Sequence, residues 1–187
     1  MYIVLTQCFP SRLGGIENLV SNLALNIGRD NKVIVFADQH HLLHDTIYDN
    51  KHNNRILVRR FGGLKIFRRR NKVKKLKSFI ESQHVKCVIA DTWKSIELCI
   101  DYLNSNNIPV LCLAHGNELI TNDTNKKKRI SSTLNKASVV VTNSNYTVNL
   151  VKQFVKNIKK IKVVYPGAND LRFLESDNFL PINGDPV

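Results

Sequence analysis

The chain has 187 residues, 43% hydrophobic and 23% charged, which suffices for one full core of ordinary soluble composition and gives no reason for two. No apolar run approaches the ~20 residues that a transmembrane helix needs, and Met1-Tyr2-Ile3-Val4-Leu5 lacks the basic flank and cleavage site of a signal peptide, so a cytoplasmic protein is expected. With 28 basic against 15 acidic residues the formal net charge is +13, which calls for an anionic partner: nucleic acid, acidic lipid or a phosphorylated substrate.

Taken in order, apolar strand-like runs alternate with segments of helical period, the pattern of an α/β, doubly wound, Rossmann-like parallel sheet covered on both faces. Tyr2–Leu5 reads as the first strand. Ile16, Leu19, Val20, Leu23, Ala24 and Ile27 then share one helical face, and Lys32–Ala37 is a second strand ending at Asp38. A polar stretch with His40, His41 and His44 reads as an irregular loop. The strand Arg55–Arg60 follows, then Gly62-Gly63 and a basic helix from about Phe67 to Ser82.

Lys86–Ala90 is the next strand, and Trp93, Ile96, Ile100 and Leu103 fall on one side of a single helix after it. Pro109–Ala114 and Ser138–Thr142 are strands separated by a basic helix near Lys126–Asn135. Val148, Val151, Val155 and Ile158 mark a further helix, and Ile161–Tyr165 a last strand. Periodicity stops at Pro166, so residues 1–165 read as one domain and 166–187 as a linker. Cys8, Cys87, Cys99 and Cys112 are far apart and form no C-x-x-C pair, which suggests neither a disulfide framework nor a zinc site.

Ligands of open parallel sheets bind outside the carboxyl ends of the strands. Gln7–Gly15, Asp38, Asp91-Thr92-Trp93, His115-Gly116-Asn117-Glu118, Asn143-Ser144-Asn145 and Pro166-Gly167 stand there. Trp93, Asn117, Glu118, Asn143 and Ser144 are therefore candidate cleft-lining residues. Gly14-Gly15 before an amphipathic helix lets a backbone approach a phosphate at the helix N-terminus, or simply makes a turn. His115 after its strand is either a hydroxyl-binding imidazole or a surface loop residue. The spacing of His40, His41 and His44 admits a metal, but no Cys or acid cluster joins them, so no metal site is expected.

Ten basic residues lie between Arg59 and Lys77, and no acid occurs between Asp49 and Glu81. Helical spacing turns Val73, Leu76 and Ile80 inward and the cations outward. This is either a solvated face or an anionic-ligand surface, with Phe61, Leu64 and Phe67 placed to enter a membrane interface. Nucleic acid is the less favoured partner, because no RNA-binding signature accompanies the charge.

Four stretches in this order resemble the N-terminal domain of the GT-B retaining glycosyltransferases of family 4 (the "group 1" type), which include the phosphatidylinositol mannosyltransferases. They are Phe9–Glu17, Ala114–Leu119, Val139–Thr147 and Val163–Phe173, the last with its glycine shifted in Pro166-Gly167-Ala168-Asn169-Asp170. The resemblance implies a nucleotide-diphosphate sugar as donor, no cofactor, and transfer with retention to a glycan or lipid-linked acceptor. It places Gly14 and Gly15 on the donor diphosphate and His115 at the reacting centre. Arg59, Arg60, Arg68, Arg69 and Arg70 would lie on the acceptor or membrane side, making the protein peripheral on the inner membrane face. The nucleotide-binding second domain of that family has no counterpart in these residues, so the chain alone is expected to be inactive. The alternatives are a GT-B sugar-nucleotide epimerase-like enzyme and a basic membrane- or nucleic-acid-binding module.

Overall fold

The computed structural model describes residues 1–167. Seven strands make one fully parallel sheet in the order β3-β2-β1-β4-β5-β6-β7: β1 Tyr2–Leu5, β2 Val33–Asp38, β3 Ile56–Phe61, β4 Cys87–Ala90, β5 Val110–Ala114, β6 Val139–Thr142 and β7 Ile161–Val163. The register is regular, with Ile3 opposite Ile34 on one side and Val88 on the other. Doubly wound, Rossmann-like α/β architecture is what the alternation of apolar runs predicts.

Right-handed crossovers decide which face each helix covers. Helices α1 (Gly15–Ile27) and α2 (Leu42–Lys51) lead outward from β1 to β3 on one face. There Val20 and Ala24 pack on Val4, Val33 and Val35. The long helix α3 (Lys65–Ser82) returns across the other face. The chain then moves the opposite way, so α4 (Trp93–Ile96), α5 (Ile100–Ser105), α6 (Thr124–Lys136) and α7 (Asn145–Lys152) join α3 on that second face. Leu76, Trp93, Ile96, Leu103, Ile130, Leu134 and Val151 form the main core with Ile3, Leu5, Phe36 and Val88. Among the described residues the first face of β4–β6 has no helix of its own.

Three local features depart from the sequence reading. The histidine-rich stretch is not an irregular loop but contains α2. The expected helix after β4 is broken: α4 and α5 are separated at Glu97–Cys99, although Trp93, Ile96, Ile100 and Leu103 are all buried as their spacing required. The last helix is short, and a single 3-10 turn, Ile158–Lys160, precedes β7. The linker expected at 166–187 lies, beyond Gly167, outside the described residues.

Candidate functional site

The strand order reverses between β1 and β4, which opens the crevice where such folds bind ligands. A buried polar network floors it. Asp91, just after β4, is fully buried; its Oδ2 accepts from Thr6 Oγ1 (2.8 Å), Gln7 N (2.9 Å) and Cys8 N (3.3 Å), and its Oδ1 from Ser95 Oγ (2.5 Å). Burial pushes this carboxyl above the usual carboxylate range, against the opposing pull of those donors and of Lys72. Lys72 of α3 donates to Asp38 Oδ1 (2.5 Å) and Thr6 O (2.7 Å). Its own pKa is lowered by burial, with Asp38 working in the other direction. The Cys8 thiol is pushed up to about 11 by burial and then by Asp91, so it stays protonated and offers no thiolate at neutral pH.

His115 stands at the carboxyl end of β5, one strand from Asp91. Its Nε2 lies 2.9 Å from the Asp91 carbonyl oxygen. A carbonyl can only accept, so Nε2 carries the proton and Nδ1 is the ring atom left for a ligand. The following turn is fixed by its own members. Glu118 Oε1 accepts from His115 N (2.8 Å), and Leu119 N donates to Gly116 O (2.9 Å). Gly116 takes φ 112°, a left-handed conformation that a side chain would strain. The sequence thus supplies a glycine to turn the chain and a glutamate to bracket it, and the imidazole is held by a backbone atom of the neighbouring strand.

Gly14 and Gly15 lie on the same carboxyl edge, at the N-terminus of α1, and are exposed. A Cβ at Gly14 would come within 2.2 Å of Glu17 Oε2, the far end of a side chain that would have to shift to admit it. Glu17 is buried in the first turn of α1, where the helix dipole favours negative charge, and pairs with Arg12 at 3.0 Å. An anion approaching Gly15 therefore meets a helix end already partly neutralised by Glu17, with the half-exposed Arg12 as the compensating cation.

The loop that carries these glycines is clamped from the side. Asp45 of α2 accepts from Ser11 Oγ (2.8 Å), His40 N (2.8 Å) and His41 N (3.1 Å). Arg60 of β3 donates to Pro10 O, contacts Asp45 Oδ1 at 3.5 Å, and makes a forked pair with Asp49 through Nε (3.0 Å) and Nη2 (2.7 Å). Its guanidinium also lies over the Phe9 ring. Sequence reasoning gave Asp45 no role, and assigned Asp91 none beyond its place after a strand. The position after a buried parallel strand was the available signal for Asp91.

The candidate cleft residues separate into two groups. Asn143 shares a groove with His115 and Thr142, about 760 Å³ in volume, that continues down the helix-free sheet face past Leu113 and Leu111. Asn117 is exposed at the His115 turn. Trp93, by contrast, is no cleft residue: it is 1% exposed, with Nε1 donating to Glu118 O (3.5 Å), because the first turn of α4 points its indole into the core. Ser144 caps α7 by accepting from Thr147 N (3.2 Å), and Glu118 is occupied by the turn. Gly14 and Gly15 do not line the His115 groove. No group of three or more potential metal ligands occurs among the described residues. His41 instead caps α2, its Nδ1 accepting from His44 N at 3.4 Å.

The basic run divides as well. Arg60 is only 11% exposed and turns away from any outside ligand. Arg68 and Lys72 face Asp38 (2.9 and 2.5 Å), and Arg69 pairs with Glu97 (2.9 Å), which Arg129 also grips. Phe61 is stacked on Phe36 and cannot insert into a membrane, whereas Leu64, Ile66 and Phe67 are exposed at the start of α3. Arg59 and Arg70 make no ion pair among the described residues.

Residues 13–171 match Glycosyltransferase Family 4. None of the curated proteins matches the sequence. The fold is similar to that of Anabaena Alr3699/HepE, solved with UDP-glucose, at TM-score 0.68 and 17% identity over 90% of this chain and 44% of that one. It is also similar to the lipopolysaccharide outer core galactosyltransferase WaaB (TM-score 0.62, 13% identity, 90% and 46% covered) and to Acinetobacter baumannii MurG (TM-score 0.56, 13% identity, 90% and 46% covered). The chain spans less than half the length of these solved structures and corresponds to the N-terminal half of GT-B glycosyltransferases. A parallel sheet with its crevice at the β1–β4 reversal, together with a match over residues 13–171, establishes that this chain belongs to glycosyltransferase family 4.

Proposed function

We propose that this chain is the acceptor-side half of a retaining transferase that moves a sugar from a nucleotide-diphosphate donor to a glycan or lipid-linked acceptor. The observation that carries the reading is His115: a histidine held through Nε2 by the Asp91 carbonyl, at the strand edge beside Asn143, with no described residue bonded to Nδ1. A neutral Nδ1 accepts a hydrogen bond from a sugar hydroxyl and so orients the sugar being transferred. Charge develops on the departing diphosphate, and Gly15 N–H with Arg12 is the donor set this chain offers to it. That Anabaena HepE is solved with UDP and with UDP-glucose supports a nucleotide sugar as the donor class. No metal or cofactor is required by this scheme.

The acceptor approaches from the side of α3, where Leu64, Ile66 and Phe67 are exposed beside Lys65 and Arg70. Apolar side chains among cations suit attachment to an acidic membrane surface. No described helix is long and apolar enough to cross a membrane.

Half a cleft cannot enclose the donor, so the 187-residue chain alone should release no free sugar or transfer product from UDP-glucose. A radiolabelled-donor assay checks this against a protein that also carries the second half of the fold. Turnover by the chain alone contradicts the half-cleft reading.

A further inference from the structure

On α3, Asn71, Lys74, Lys75 and Ser78 stand at i, i+3, i+4 and i+7, one continuous helical stripe. The stripe faces the edge strand β3, and with Arg59 it lines an open groove of about 590 Å³. Every polar side chain in this lining is a hydrogen-bond donor or a neutral amide or hydroxyl, and none is a carboxylate. Arg60 also borders the groove, but its guanidinium is committed to Asp49 and Asp45. The cations left to the groove are Arg59, Lys74 and Lys75, and none of them has an ion-pair partner among the described residues.

Arg59 adds an independent observation. Its Nε is shielded from solvent and has no hydrogen-bond partner among the described residues, and its guanidinium lies 5.9 Å over the Phe79 ring. A planar guanidinium held on an aromatic face, with no Nη hydrogen bond to a described residue, presents its Nη edge to an oxyanion in the groove, while the shielded Nε stays out of reach. A single carboxylate would leave two of three cations uncompensated, whereas a phosphomonoester or diphosphate brings about two negative charges. The stripe from Asn71 to Ser78 is about 10 Å long, enough for a phosphate and the group that bears it. Nucleic acid fits less well: Phe61 and Phe79 both pack against Phe36, so the groove offers no free aromatic face for base stacking.

We infer that the Arg59–Lys74–Lys75 groove between β3 and α3 is a phosphate-binding site, separate from the strand-edge crevice that holds His115. Its ligand is a phosphomonoester or diphosphate, carried by a lipid headgroup or by a soluble phosphorylated acceptor. The site deepens the acceptor-side reading, and rests on that reading only for why a transferase would hold a phosphate away from the reacting centre.

The test needs neither nucleotide sugar nor turnover, so it stands or falls apart from the transferase reading. Inorganic pyrophosphate is titrated into the chain at low salt, in the native protein and in two variants of equal charge loss. One carries Arg59→Gln, Lys74→Gln and Lys75→Gln. The other carries Lys127→Gln, Lys128→Gln and Lys152→Gln on α6 and α7. The groove variant should lose about tenfold in affinity and the control less than about twofold. Should the groove variant fold poorly, Lys74→Gln with Lys75→Gln alone retains Arg59 and should still lose several-fold. A parallel arm uses phosphatidylcholine vesicles bearing phosphatidic acid, or phosphatidylglycerol at matched surface charge. Groove-dependent preference for phosphatidic acid identifies a lipid headgroup, and pyrophosphate binding without vesicle binding identifies a soluble phosphate. Equal losses in the two variants, or no pyrophosphate binding by the native chain, would overturn the site.

Discussion

Lys72 and Arg70 stand two positions apart on α3 and meet opposite surroundings. Lys72 is buried between Asp38 and the Thr6 carbonyl, while Arg70 projects into solvent. Removing one member of a buried pair leaves the other charge desolvated. Lys72→Ala should therefore cost about 3 kcal/mol, at the low end of that class because Arg68 still faces Asp38. Arg70→Ala should stay within about 0.5 kcal/mol of the native protein. Urea denaturation of both variants checks this, and equal costs would mean that the Lys72 pair is not formed. The excess of cations between Arg59 and Lys77 was legible in the sequence. Which of them turn inward was not, because their partners Asp38, Asp49 and Glu97 belong to other elements and only the fold brings them near.

At the scale of elements, α2 shows why a pattern can mislead. Leu42, Leu43 and Ile47 are exposed, and the residue that α2 buries is Asp45, so its apolar side chains mark the wrong face. The helix is fastened by Asp45 and Asp49 to Arg60 and to the Gly14-Gly15 loop, a polar attachment that hydrophobic periodicity does not register. The break between α4 and α5 was equally hidden, since all four apolar residues keep helical spacing across it. Asp45 also gives a pH signature. Burial pushes its carboxyl up, but the hydrogen bonds from His40 and Ser11, with Arg60, outweigh this and lower its pKa. A carboxyl depressed in the folded state contributes stability above its usual pKa and loses it as pH falls through the lowered value. Asp45→Asn should cost about 2 kcal/mol at neutral pH. The gap to the native protein should close below pH ~4. Urea midpoints at the two pH values decide it, and a gap that persists or widens in acid would contradict the assigned hydrogen bonds.

For the whole molecule, strand and helix order came through because the central parallel strands are nearly continuous apolar runs, and such runs punctuated by polar turns leave few topologies. The carboxyl-edge position of Gly14-Gly15 and His115 follows from that order, without any knowledge of contacts. What the order does not disclose is the Asp91 network beneath the crevice. Its members, Thr6, Gln7, Cys8, Ser95 and Lys72, come from three separate stretches of chain and are united only by the β1–β4 reversal. The backbone carbonyl of the same Asp91 fixes the tautomer of His115, on which the proposed role of that histidine rests. The direct measurement is steady-state kinetics of His115→Ala in a protein carrying both halves of the fold. There kcat should fall by about 10²-fold or more, with donor affinity changed only a few-fold. An unchanged kcat would return His115 to an ordinary loop residue.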